Sequence, residues 1–277
     1  MGQDLNVSVE NKGNKASTLF AALTIVICIV IGALLWKFVM GAPANFIKDD
    51  PNGQPLPGNY LGMVYKGGVI VPVLLGLLLM TVVFSIERFI VLRKAAGKSD
   101  LEKFVKDVIG QIKSGDVQGA IVSCDAQEGS VANVIKAGLL KSEQVKKDGL
   151  DVDAATENIT KEVEQATSLE MPMLEKHMTI LSTLVALGTL AGLLGTVTGM
   201  IKAFGALATA GTPDQAALAN GISEALINTA TGIATSALAI VTYNFFTSKI
   251  DTLTYSIDEA GSTIVNTYRK FRGSLKS

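Results

Sequence analysis

Residues 178–208, MTILSTLVALGTLAGLLGTVTGMIKAFGALA, and residues 219–246, ANGISEALINTATGIATSALAIVTYNFF, decide the fold. Crossing about 30 Å of hydrocarbon takes about 20 apolar residues in a helix, and each stretch exceeds that. The first carries one charged side chain, Lys202, and the second carries one, Glu224. Neither alternates apolar and polar residues at period two, so both read as helices. Without water, only helices and closed barrels satisfy the backbone.

Two more runs have the same character. Thr18–Met40 holds no charge until Lys37, and Gly67–Ile86 holds none. The first starts late and lacks a small-residue cleavage site, so it reads as a retained helix rather than a signal peptide. The expected fold is an all-α integral membrane protein with four transmembrane helices and a helical cytoplasmic domain. The expected elements are a cytoplasmic N-terminus (1–17), an extra transmembrane helix (18–40), an irregular proline-bearing outer loop (41–66) and a second transmembrane helix (67–86). A cytoplasmic domain (87–177) follows. Then come two long helices (178–208 and 219–247) joined by a tight outer hairpin (209–218), and a cytoplasmic C-terminal helix (248–277).

Charge supports this division. Of 277 residues, 48% are hydrophobic and 18% charged, against about 25% in an average soluble domain. The 24 basic and 25 acidic residues nearly cancel, which excludes a nucleic-acid binder with a basic surplus. Yet 20 of the 24 Lys and Arg lie in segments 1–17, 87–177 and 248–277. By the positive-inside rule those segments face the cytoplasm, with both termini. One His and two Cys leave little for a zinc site or a disulfide framework, and no cofactor is expected.

Within 87–177, Leu101, Phe104, Val105, Val108, Ile109 and Ile112 recur at helical spacing up to Gly115. Asp116 is placed to cap a second helix through Cys124, and Ser130 a third through Leu140. From Asp151 the pattern runs straight into the third membrane helix, with Pro172 as a kink. This segment shows no phosphate loop, metal-ligand cluster or nucleophile–base pair, so it does not read as an enzyme.

Polar groups inside a membrane carry the functional information. With the hairpin centred between Thr212 and Pro213, Thr196 lies level with Thr229, and Lys202 with Glu224. At 100° per residue, Glu224, Asn228, Thr231, Thr235 and Thr242 share one face of the fourth helix. Ala225, Thr229, Gly232, Ser236 and Ala239 form an adjoining small-residue stripe. In the third helix, Ser182, Thr189 and Thr196 repeat every seven residues, while Gly188, Gly192, Gly195 and Gly199 form a close-packing stripe. Two readings compete. Membrane Thr and Ser often bond only their own backbone, and glycines at this spacing often mean packing alone. Lys202 either pairs with Glu224 or snorkels to the outer interface.

These residues resemble a known family. Gly192-Leu193-Leu194-Gly195-Thr196-Val197-Thr198-Gly199-Met200-Ile201 followed by Ala203-Phe204 is similar to a signature of the ExbB/TolQ/MotA proton-channel family. So is Gly221-Ile222-Ser223-Glu224-Ala225-Leu226-Ile227-Asn228-Thr229-Ala230-Thr231-Gly232 followed by Tyr243-Asn244. Cytoplasmic Gly115–Ala120 and Gly129–Ala132 look similar as well. The likeness runs from about Tyr65 to Ser248 and fits the ExbB branch best, because Glu224 followed by Thr229 is its pattern.

The resemblance implies a homopentamer whose last two helices line a pore around single-span ExbD/TolR-like partners. There a partner aspartate carries the proton and motion passes to a TonB-like transducer at an outer membrane. It implies the inner membrane of a Gram-negative bacterium. It maps the pore threonines onto Thr196 and Thr229 and the pore glutamate onto Glu224, with Asn228, Thr231, Thr235 and Thr189 beside them. The chain departs from the pattern near Thr189-Leu190 and at Leu238, where prolines are usual, at Thr198, where an aromatic is common, and in its extra first helix. The alternatives are a TolQ-like or otherwise specialised stator, and a membrane scaffold without ion flux.

Overall fold

The computed structural model describes residues 3–51, 53–209 and 215–274, with side chains from 19 to 208 and 215 to 270 among these. The described residues are 89% helical, with no strand among them beyond an isolated bridge between Phe46 and Pro55. In order, the helices are α1 (Gln3–Leu34), α2 (Tyr60–Tyr65), α3 (Val71–Ala96), α4 (Leu101–Ser114), α5 (Val117–Gln127), α6 (Gly129–Lys147), α7 (Val152–Glu175), α8 (Met178–Thr209) and α9 (Gln215–Ser274). Among the described residues, four helices are long and apolar enough to cross a membrane. The expected hairpin tip, Gly211-Thr212-Pro213, lies outside the described residues. The chain divides into two compact units, Met1–Ser85 with Thr179–Tyr243 and Ile86–Met178 with Asn244–Ser277.

In the first unit, α1 buries only Thr24, Cys28 and Gly32 along its described length. Spaced four apart, these form one narrow stripe. A Cβ on Gly32 would lie 2.7 Å from the Pro72 carbonyl oxygen, and one on Gly76 would lie 3.1 Å from Ile29 Cα. So α1 and α3 meet at backbone distance. The rest of α1 exposes Leu23, Ile27, Val30 and Leu34, a surface suited to hydrocarbon.

The expected irregular loop 41–66 is folded. A π-helical turn, Leu35–Met40, ends α1. Asn45 donates to the carbonyls of Val39 (2.8 Å) and Met40 (2.9 Å), satisfying groups the helix end leaves open. Asn59 donates to Asn45 Oδ1 and caps α2 by accepting from Gly62 N. Trp36 stacks on Tyr65, ring centroids 4.8 Å apart, and its indole donates to the Tyr65 carbonyl. Two asparagines and an aromatic pair thus replace the regular ladder that prolines prevent.

The second unit is a helical cluster whose core includes Phe104, Val108, Ile112, Ile135, Leu139, Ile159, Ile257 and Ile264. Asp100 caps α4 by accepting from Lys103 N, and Gly115 ends it in the left-handed region. Asp116 caps α5 as expected. α6 begins at Gly129 without a side-chain cap, so Ser130 does not cap it; its hydroxyl is buried without a partner. Burial pushes the Cys124 thiol up to about 12, so it stays protonated and inert at neutral pH.

α7 does not run into α8. Pro172 lies inside α7, and the helix breaks later, at Lys176-His177, where His177 takes a φ of +61°. The side chain that stops the helix comes from α3. Buried Arg88 donates to the carbonyls of Met173 (3.2 Å) and Leu174 (3.3 Å) and to both carboxylate oxygens of Glu87. Glu87 in turn lies 3.3 Å from His177 Nδ1. A buried arginine needs its donors filled, and helix-end carbonyls together with a carboxylate fill them.

Candidate functional site

The site is the seam between α8 and α9, and glycine makes it. A Cβ on Gly188 would lie 2.6 Å from Ser236 Oγ, and one on Gly192 would lie 3.0 Å from the Asn228 carbonyl oxygen. A Cβ on Gly199 would meet Ala225 N at 2.8 Å, and one on Gly232 would meet the Gly188 carbonyl oxygen at 2.6 Å. Gly195 leaves the space that the Asn228 side chain fills. Backbones this close bring short side chains on the two helices within hydrogen-bond reach.

Thr196 and Thr229 hydrogen-bond to each other across the seam. Each hydroxyl also approaches a carbonyl of its own helix, Thr196 that of Gly192 (3.3 Å) and Thr229 that of Ala225 (3.2 Å). Each hydroxyl has one proton to give. One threonine therefore donates across the seam while the other donates to its carbonyl, and the reverse arrangement is equally available. The pair admits two proton orders and is partly buried, not sealed in the core.

Seven residues along α8, about 10 Å, Thr189 donates to Ser236 Oγ at 2.9 Å, and Ser236 donates to the Val185 carbonyl at 2.7 Å. On the other side of the threonine pair, Lys202 Nζ lies 2.5 Å from Glu224 Oε1, with Lys202 52% and Glu224 12% exposed. Lys202 thus pairs with Glu224. Gly68 has a φ of +77°, and a Cβ there would strike the Glu224 carboxylate.

The expected polar face of the fourth helix is divided. Asn228 is fully buried, and its Nδ2 donates to the Gly67 carbonyl at 2.8 Å while its Oδ1 has no partner. Thr235 is fully buried. Thr231, Thr235 and Thr242 donate to the carbonyls of Ile227, Thr231 and Leu238 of their own helix. In this chain Asn228 and Thr235 therefore face packing, and the cross-helix hydroxyls are Thr196, Thr229, Thr189 and Ser236. Sequence reasoning missed Ser236 as a hydrogen-bond partner, and Gly67-Gly68 altogether. The signal for the glycine pair was its place at the start of an apolar run.

Residues 126–259 match the family described as the MotA/TolQ/ExbB proton channel family. Through this segment, just under half of its length, the chain is similar to that family. Relatives carry both ExbB and TolQ names. The chain is 32% identical over 127 residues to the Tol-Pal system protein TolQ of Pseudomonas aeruginosa, covering 46% of this chain and 55% of that protein. It is 26% identical over 208 residues to putative biopolymer transport protein ExbB-like 3 of Synechocystis, covering 74% of this chain and 93% of that protein. Against biopolymer transport protein ExbB of Xanthomonas campestris it is 31% identical over 115 residues, 39% of this chain and 46% of that protein. The chain spans about half the length of the Pseudomonas and Xanthomonas relatives it matches. The MotA/TolQ/ExbB segment contains the whole α8–α9 seam and begins well beyond α1 and the folded 41–66 loop.

Proposed function

We propose that this chain is the pore-forming subunit of a proton-motive-force-driven motor in the inner membrane of a Gram-negative bacterium. Five copies surround single-span partners of the ExbD/TolR type, and α8 and α9 line the pore. A partner aspartate carries the proton past Thr196 and Thr229, and the motion energises a TonB-type transducer for outer-membrane transport. Both termini face the cytoplasm. The chain performs no enzymatic step and needs no cofactor.

The observation that carries this reading is the hydroxyl pair Thr196–Thr229. It offers a titrating carboxyl both a donor and an acceptor, and it switches between proton orders without moving the backbone. No Asp lies within the apolar runs and their one Glu, Glu224, is paired with Lys202, which agrees with the titrating acid coming from a partner. The Lys202–Glu224 layer sets a paired charge between the hydroxyls and the outer surface, and the likeness of residues 126–259 to the proton channel family supports the same reading. Co-expression with a one-span protein bearing a membrane Asp tests it. The complex should co-purify and acidify liposomes under an imposed potential, and Asp→Asn in the partner should abolish the flux. A chain that binds no such partner and lets no protons through fits a membrane scaffold instead.

A further inference from the structure

We propose that the groove formed by α3, α4 and α9 in the second unit binds one anionic glycerophospholipid of the inner leaflet. The groove has a volume of about 760 Å³. Its two long walls repeat one pattern. On α3, Phe89 is followed four residues later by Arg93, and on α9, Phe245 is followed four residues later by Lys249. Four residues advance a helix about 6 Å, so each wall sets an aromatic ring one turn before a cation.

Both rings are half-exposed, Phe89 51% and Phe245 48%. Both lie at the ends of apolar runs, Phe89 three residues past Gly67–Ile86 and Phe245 next to last in Ala219–Phe246. The pattern therefore sits where hydrocarbon gives way to headgroups, with rings toward the acyl chains and cations at phosphate depth. Lys249 Nζ lies 5.9 Å from the Phe245 ring centroid, and no carboxylate among the described residues pairs with it or with Arg93.

The acidic residues of the groove are engaged or distant. Glu102 pairs with Lys106 at 2.6 Å, and Asp100 accepts from Lys103 N. Glu259 lies ten residues beyond Lys249, about 15 Å along the helix. Reading inward, the groove is apolar, then cationic, then acidic, which matches an acyl chain followed by a phosphodiester. Basic pockets on the cytoplasmic side of membrane helices recognise acidic headgroups in this way. Free phosphate would make no use of the two rings. The inference stands whether or not the chain conducts protons.

The test titrates the full chain, purified in detergent, with dioctanoyl-phosphatidylglycerol or dioctanoyl-phosphatidylcholine and counts bound lipid by native mass spectrometry. Phosphatidylglycerol should bind more tightly. Each cation is worth about fivefold, so Arg93→Gln with Lys249→Gln should weaken that binding about 25-fold and erase the preference. Phe245→Ala should weaken both lipids. Lys94→Gln with Lys270→Gln removes the same charge elsewhere and should change nothing. Unchanged circular dichroism verifies that each variant is folded. Equal affinity for the two lipids, equal losses in the charge-matched control, or displacement by millimolar inorganic phosphate would overturn the proposal. So would a double variant that alters subunit assembly but not lipid preference, because a second copy would then occupy the groove.

Discussion

Glycine holds two helix pairs of the membrane unit together, α1 against α3 and α8 against α9, and the two seams use the close approach differently. At Gly32 and Gly76 the backbones meet with Cys28 and Ile29 around them. At Gly188, Gly192, Gly199 and Gly232 they meet with three links between polar side chains of the two helices beside them: Thr189–Ser236, Thr196–Thr229 and Lys202–Glu224. Glycine spacing by itself therefore reports packing. What distinguishes the second seam is hydroxyls and charges placed so that each meets a partner on the other helix. The family segment holds the second seam and not the first.

The largest effect expected is from a side chain forced into the second seam. Gly232→Val places a branched side chain against the Gly188 carbonyl and Gly192 Cα, and should destabilise the helix pair by about 3 kcal/mol. Thermal unfolding in detergent should show the loss, together with loss of any proton flux. Gly32→Val crowds the Pro72 carbonyl and Gly76 in the same way, but should displace only α1 and leave flux near wild type. Cys28, 3% exposed in the native seam, reports that displacement by becoming reactive to a membrane-permeant maleimide. Cys124, with its thiol held at about 12, should stay unlabelled at pH 8 in both variants. If Gly32→Val abolishes flux as Gly232→Val does, the two seams are not functionally distinct.

Much of the second seam was legible in the sequence because it depends on few unknowns. A short connection forces α8 and α9 antiparallel, and equal rise then pairs Thr196 with Thr229 and Lys202 with Glu224 without further information. Asn228 needed the position of a third helix. Its amide turns to the Gly67 carbonyl at the start of the α3 region, which periodicity along α9 cannot reveal. The break at His177 was hidden for a similar reason. Apolar spacing continues through residues 159–181, and the groups that end α7 belong to Arg88, 85 residues away from Met173. The 41–66 loop read as irregular because its order comes from Asn45 and Asn59, whose side-chain bonds carry no periodic signature.

The remaining links are weaker. A double-mutant cycle over Thr196→Val and Thr229→Val should give a coupling of about 0.6–1.7 kcal/mol in stability, the range for hydrogen bonds between membrane helices. Additive effects would deny the link. Lys202→Met should cost less, under about 1 kcal/mol, because Lys202 is half-exposed and solvent screens the pair. Its effect should vanish when Glu224→Gln is made as well, and a loss unchanged in that background would place Lys202 elsewhere.

The central proposal is that the Thr196–Thr229 pair serves the path of a partner-borne proton and does more than join two helices. Partner-dependent proton uptake into liposomes, measured for Thr229→Val and Thr229→Ser alongside assembly state, tests it most directly. Valine keeps the shape and removes the hydroxyl, and serine keeps the hydroxyl. The account predicts an intact assembly in both, a loss of flux of at least about tenfold with valine, and substantial recovery with serine. Wild-type flux in an intact Thr229→Val assembly would contradict it.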